Sequence, residues 1–318
     1  MKILIYGAGV IGRIYASRLH ESGCDVTLLA RGRAYENLKQ NGVIIKDVLT
    51  GKQTIRKVPL TEQLLPDDFY DLIIVTVRLD QIDTVVPELK DNNVSPLVML
   101  MLNYPEDIKQ LTKELNNKHI ILGFPGAGGI YENNCVSYIQ IKQQKTTIGE
   151  LNGEVSAYIK EIKENLETAG FEVETSSDMQ AWLKIHAVFV SCISAAISLE
   201  NGDSIQLGKN RSSVKMMVES IREAFAACKA LGLPILPANL KTIFMIMPKW
   251  FSILYWQKAM QSEIGTLSLA PHANAAKGEM QLLAKKVLTI VHSSPLPTPT
   301  LDKLLLGFIN NGKIGMED

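Results

Sequence analysis

The chain has 318 residues, 46% of them apolar, with 33 basic and 33 acidic side chains. That length suits roughly two globular domains. The balanced charge gives no general attraction for nucleic acid or an anionic membrane, so neither is expected as a partner. The four cysteines, Cys24, Cys135, Cys192 and Cys228, form no CxxC pair. They fit a thiol-reducing compartment. The N-terminus reads as a strand, not a cleavable leader, and a cytoplasmic location is expected.

In chain order, KILIY at 2–6 predicts a short buried strand, GAGVIG at 7–12 a glycine turn, RIYASRLHESG a helix ending near Gly23, and CDVTLLA a second strand. Residues 43–60 alternate weakly and suit extra strands around Gly51. DLIIVTV at 71–77 and VSPLVMLML at 94–102 read as buried strands flanking a short helix, QIDTVVPELK. HIILGFPGAGG at 119–129 comes next, with GFPGAGG at 123–129 reading as flexible or tightly turned and as part of a cleft wall, followed by a polar, β-like stretch to about 148. A helix over about 151–169 and a strand FEVET at 171–175 follow. From Asp178 on the pattern is helical, with breaks near 201–210, 232–238, 265–271 and 293–299. The expected fold is therefore an α/β Rossmann domain over residues 1–176 and an all-helical domain over 177–318. The longest apolar run, between Lys184 and Glu200, contains His186 and reads as too short and too polar for a membrane span.

Gly7, Gly9 and Gly12 form GxGxxG between a strand and a helix, and Val10 and Ile11 complete the turn. Such a turn brings a dinucleotide diphosphate onto free N–H groups at a helix N-terminus; the plainer alternative is a close-packed turn. Where the second strand ends, an acid would grip an adenosine ribose. This chain has LLARGR at 28–33 instead, and Arg31 offers a guanidinium to a 2′-phosphate. Arg33 is a possible helper, and Arg78, after the DLIIVTV strand, is a second candidate for that phosphate. Either arginine is otherwise a solvated strand-end charge. NADP(H) is the expected cofactor.

Hydride transfer to a carbonyl requires a proton donor near the oxygen. Lys184, in the apolar segment 179–199, suits that role, or else is a lysine snorkelling from a packed helix. Asn103 follows the VMLML strand and suits nicotinamide or substrate, or simply a turn before Pro105. A helix starting near Pro271 would put His272, Ala276 and Glu279 on one face, with His272 and Glu279 as polar substrate contacts or ordinary surface groups. No HxxxH or HExxH pattern occurs, so no metal is expected. The Met- and aromatic-dense segment 241–260 is either domain core or the contact surface of a homodimer.

KILIYGAGVIG, LLARG, VMLMLN and AWLK occur in an order that resembles the ketopantoate reductase family, and the resemblance covers nearly the whole chain. It implies an N-terminal Rossmann domain, a helical C-terminal domain, an active site in the cleft between them, and NADPH-dependent reduction of a 2-oxo acid, 2-dehydropantoate to pantoate. It also implies Gly7, Gly9 and Gly12 on the diphosphate and Arg31 on the 2′-phosphate. Arg78 stands where family members carry a lysine, Asn103 is a cofactor and substrate contact, and Lys184 is the general acid. The departures are specific. Val188 and Cys192 stand where the family has asparagines, Ser268 is a weak match for a substrate serine, and Glu279 lies in GEMQ rather than in a TEID-like segment. They leave open a different, less polar 2-oxo acid, or a dinucleotide-binding sensor or interaction protein without turnover.

Overall fold

The structure is a computed structural model that describes residues 1–140 and 144–310. The part of the expected β-like stretch over 141–143 lies outside those residues. The chain divides into two compact units, Met1–Asn103 with Asp107–Met179, and Tyr104–Glu106 with Gln180–Asp318. The last strand of the first unit ends at Thr175, and the first long helix of the second begins at Met179.

The first unit begins β1 (Lys2–Tyr6), α1 (Val10–Glu21), β2 (Asp25–Leu29), α2 (Arg33–Asn41), β3 (Val43–Asp47), β4 (Gln53–Arg56), β5 (Leu60–Thr61) and β6 (Leu72–Val75). It continues through α3 (Ile82–Asp91), β7 (Leu97–Met101), α4 (Lys109–Glu114), β8 (His119–Phe124), β9 (Ala127–Glu132), β10 (Cys135–Gln140), β11 (Thr146–Glu150), α5 (Ala157–Thr168) and β12 (Val173–Thr175). An eight-stranded sheet has the order β12-β11-β8-β7-β6-β1-β2-β5. Its pairs are parallel except β11 with β8. Along β5-β2-β1-β6-β7-β8 the order is that of a Rossmann fold, reversing direction between β1 and β6. Buried strands such as LIIV and LVMLM are apolar on both faces because helices must cover both sides of a parallel sheet. The weakly alternating 43–60 segment becomes the β3–β4 hairpin, with Gly51 at φ +71° in its turn. That hairpin joins β10 and β9 in a second sheet of order β4-β3-β10-β9. The turn expected within 123–129 is confined to Pro125 and Gly126, and the residues on either side belong to β8 and β9, one in each sheet. Tyr15 of α1 ties the layers together. It stacks on Phe171 at 4.2 Å, and its hydroxyl bonds Thr146 Oγ1 at 2.6 Å and the Gly126 amide at 3.2 Å.

The second unit contains α6 (Met179–Leu199), α7 (Ser204–Lys209), α8 (Arg211–Ala230), α9 (Ala238–Lys241), α10 (Lys249–Met260), α11 (Ala270–Ala275), α12 (Lys277–His292) and α13 (Pro299–Asn310), with π-helical turns at Thr242–Ile246 and Ile264–Leu269. Two expected breaks are partly helical. Asp203 caps the short α7 through Ile205 and Gln206, and the 264–269 stretch is a wide helical turn. The reading of the central apolar run also needs correction. As the 21-residue α6 it is long and apolar enough to cross a membrane, and most of it is buried inside the protein. Counting the run from Lys184 leaves out the turn contributed by Met179–Leu183. Fold class is as the sequence implies: an α/β Rossmann unit followed by a helical one.

Candidate functional site

At the point where the sheet order reverses, β1 and β6 diverge and leave a crevice beyond their carboxyl ends, the place where such sheets bind ligands. A cavity of about 380 Å³ opens there, bounded by Tyr6, Gly7, Gly9, Arg31, Thr76 and Arg78 among others. Gly7 has φ +114°, a conformation that disfavours side chains, and lets the chain turn sharply off β1. The Thr76 hydroxyl donates to the Gly7 carbonyl at 3.0 Å, fixing that turn against β6. Gly12 is required for packing: a Cβ there would stand 1.8 Å from the Gly7 carbonyl oxygen. Gly9 differs, since a Cβ would meet nothing within 4 Å. Its missing side chain leaves open space on the crevice side, which is the space a diphosphate needs. No side chain caps the first turn of α1, which holds Val10 and Ile11 and no acid, so its N–H groups and positive dipole end remain available to an anion. The turn thus fits a dinucleotide diphosphate.

Arg31 follows β2 and Arg78 follows β6, and both border the cavity. Arg31 donates through Nη2 to the Tyr6 hydroxyl at 2.8 Å and to Glu88, and through Nε to the Glu62 carbonyl at 3.1 Å. Burial works against its charge, but the Tyr6 phenol and Glu88 outweigh it and hold the guanidinium charged. Burial, with Glu88 second, pushes the Tyr6 phenol up to about 12. Arg78 is paired with Asp80 at 3.2 Å. Arg33 opens α2 and is exposed. Asn103 lies just past β7 and is 8% exposed, and its Oδ1 has no protein partner. A buried acceptor left so costs about 1–3 kcal/mol, which a ligand amide N–H would relieve.

Sequence reasoning missed three side chains here. Tyr6 could have been found as the last residue of β1, next to the glycine turn. Arg13 is 3% exposed, donates from Nε to the Ala8 carbonyl at 2.8 Å and lies over the Tyr131 ring, so it pins the loop from behind. Glu88, on α3, carries no local signal, because only folding brings it to Arg31.

In the second unit, Lys184 is half-buried on α6. Val188 and Cys192, one and two turns on, are fully buried and supply no amide beside it. Burial pushes the Cys228 thiol of α8 up to about 11, and the nearby Lys184 charge opposes that rise. His186 stacks on Trp182 at 4.9 Å. His272 and Glu279 do not share one helix face as expected. His272 is on α11, Glu279 opens α12, and Ala276 between them leaves helical geometry at φ −117°, ψ 31°. The Ala276 amide still donates to the His272 carbonyl at 3.1 Å, so the break lies in the backbone angles of this one residue. His272 is exposed, Glu279 half-buried, and Ser268 half-buried in the π-helical turn.

Together, a Rossmann sheet, an uncapped glycine-turn helix and a crevice at the reversal of strand order define a dinucleotide-binding unit. Residues 3–153 match the family described as ketopantoate reductase PanE/ApbA, so the first unit is a domain of that family. Over 233 residues the chain is 27% identical to the 2-dehydropantoate 2-reductase of Pyrococcus horikoshii, covering 70% of this chain and 72% of that protein. Among solved structures, D-mandelate dehydrogenase with NADH and anilino(oxo)acetate superposes with a TM-score of 0.77 at 18% identity, covering 99% of this chain and 98% of that one. The 2-dehydropantoate 2-reductase from Geobacter metallireducens gives 0.77 at 16%, covering 98% and 100%. At such identities these structures establish the fold.

The His186 environment generates a pH prediction. Burial, and then His272, push its imidazole down to about 3 from 6.5. The folded protein therefore disfavours the protonated ring. The stabilisation is complete above about pH 6.5 and is lost as pH falls toward 3. Urea unfolding should show this group's share falling by about 1.4 kcal/mol per pH unit between those values. His186→Leu should flatten the slope; an unchanged slope in the variant would show that other groups carry it.

Proposed function

We propose that this chain is an NADPH-dependent oxidoreductase that reduces a 2-oxo acid to the 2-hydroxy acid, with Lys184 as general acid. The observation that carries the reading is the open glycine turn at the β1–β6 crevice, with Arg31 beside it, in a domain of the ketopantoate reductase family. Bound nicotinamide supplies the hydride that adds to the carbonyl carbon. Gly7, Gly9, Gly12 and the first turn of α1 hold the diphosphate, Arg31 and Arg78 meet the 2′-phosphate, and Asn103 accepts from an amide through its unsatisfied oxygen. Lys184 donates a proton to the carbonyl oxygen. Of the remaining candidates, His272 suits a substrate acceptor. Glu279 suits a substrate hydroxyl, since it would repel the substrate carboxylate.

The substrate that the relatives' names suggest is 2-dehydropantoate. A second reading is favoured by Val188 and Cys192, both fully buried. Without amides beside Lys184, an acid lacking the extra hydroxyl is better matched, because an unpaired buried hydroxyl is penalised. All four cysteines are free thiols, which suits the reducing cytoplasm in which we place the reaction.

NADPH oxidation against 2-dehydropantoate and a series of 2-oxo acids with apolar side chains tests the activity and separates the two substrate readings. Saturable dinucleotide binding without turnover of any 2-oxo acid would defeat both. On the best substrate, Lys184→Ala should lower kcat roughly 10²–10⁴-fold while leaving NADPH binding near the parent value. Near-normal kcat with altered cofactor affinity would remove Lys184 from catalysis. Arg31→Ala should weaken NADPH roughly 10- to 150-fold, the worth of a charge-assisted phosphate contact, and NADH far less. Equal losses for both dinucleotides in a titration would contradict the phosphate role.

We also propose that two copies associate through α10. Trp250, Phe251, Leu254 and Tyr255 are exposed on it, and Ile246 just before it is 65% exposed. Apolar side chains gathered in this way mark contact surfaces. Sedimentation velocity should report a dimer that Trp250→Glu disrupts. A single monomeric species across the dilution series would end the proposal.

A further inference from the structure

The two arginines nearest the expected ribose phosphate are each matched by an acid. Arg31 is joined to Glu88, and Arg78 donates to Asp80 through Nε at 3.2 Å and Nη2 at 3.4 Å. The Arg31 arrangement is the more constrained. A guanidinium has five N–H bonds. One Nη2 hydrogen goes to the Tyr6 hydroxyl, the other to Glu88, and the Nε hydrogen to the Glu62 carbonyl. Only the two on Nη1 remain for a ligand. A 2′-phosphate held there would meet a guanidinium whose charge is already balanced, with a carboxylate on its opposite nitrogen.

Glu88 has a further property. Its second oxygen, Oε2, is buried and has no hydrogen-bond partner. That oxygen is enclosed and Glu88 is not among the residues bounding the cavity, so its effect on a ligand passes through Arg31. A ribose 2′-hydroxyl is a donor, whereas a 2′-phosphate is an acceptor that carries about −1.5 to −2 charge near pH 7. A guanidinium already balanced by Glu88 therefore favours the phosphorylated ribose less than a bare one would. Stability does not explain the pair. The Arg31 and Glu88 side chains are 47% and 31% exposed, and ion pairs that open to water contribute little.

We infer that Glu88 is a cofactor-selectivity residue: by pairing with Arg31 and balancing its charge, it limits the preference for the phosphorylated dinucleotide and lets this chain bind NADH as well as NADPH. The inference rests on the proposed reading of the first unit as a nicotinamide-dinucleotide site. Tyr6 is a positioning residue in this arrangement, since its hydroxyl holds Arg31 over the end of β1.

Equilibrium titration of the full chain with NADPH, NADH, 2′-phospho-AMP and AMP tests it without recourse to turnover. The parent should bind NADPH and NADH with affinities within about tenfold of each other. Glu88→Gln and Glu88→Ala should each tighten NADPH and 2′-phospho-AMP by about tenfold, as a like charge is removed and Arg31 is released. NADH and AMP should be unchanged or weakened. Adding Arg31→Ala to Glu88→Gln should abolish the gain, and thermal unfolding should confirm that each variant is folded. A NADPH-to-NADH affinity ratio unchanged from the parent in both single variants would overturn the inference. So would a parent that already favours NADPH by more than about a hundredfold. In both cases the dinucleotide site itself would stand. A parent that binds neither dinucleotide would overturn the proposed function as well.

Discussion

The contact on which the site depends is the approach of Gly12 to the carbonyl of Gly7. It leaves no room for a side chain: a Cβ at residue 12 would stand 1.8 Å from that oxygen and 2.8 Å from the Thr76 hydroxyl. Because the contact is so close, α1 can start directly against the end of β1, and its unpaired N–H groups face the crevice. Thr76 binds the Tyr6 and Gly7 carbonyls from β6, so one hydroxyl joins both strands at the point where they diverge. Arg13 holds the Ala8 carbonyl from the helix side. The loop is thus held by contacts within the protein on both sides.

Electrostatics at this crevice are local. The chain carries no net charge, and the cavity-lining arginines are each joined to an acid. The proposed anion binding therefore rests on oriented groups: the uncapped end of α1, the remaining N–H bonds of Arg31 and the backbone around Gly9. Such groups act over a few ångströms, so in the proposed reading small changes in their partners alter which dinucleotide is favoured. Glu88 and Tyr6 share the same nitrogen of Arg31. Burial and the carboxylate together hold the phenol protonated, so it accepts from Arg31 without adding a second negative charge.

The helical unit follows a different logic. Its long apolar helix α6 lies mostly inside the protein, and polar groups along it meet a dry environment. Burial keeps His186 neutral through the physiological range and raises the Cys192 thiol. Lys184 is only half-buried, whereas its neighbours along that helix are buried. Val188 and Cys192 keep the next two turns of that face free of hydrogen-bonding amides. This is a physical constraint on what can be bound beside the lysine.

Much of this was legible in the sequence because it is written in local patterns. Buried strands show as apolar runs, and GxGxxG between a strand and a helix specifies its own backbone geometry. The change from strands to helices is visible as a change of period. Arg31, Arg78 and Asn103 were readable because strand ends in such a sheet fall on one edge. The tertiary structure alone decided the rest. The pairing of β3–β4 with β9–β10 depends on strands about ninety residues apart, so no local turn announces it. The turn within 123–129 is shorter than its glycines suggest because the residues flanking Pro125 and Gly126 pair into different sheets. The shared face of His272 and Glu279 failed at Ala276, where the backbone leaves helical geometry, although apolar spacing alone would continue the helix. Glu88 is 57 residues from Arg31, and Tyr6 is 25. Their meeting depends on the order of β2, β1 and β6 in the sheet, and spacing along the chain carries no trace of it.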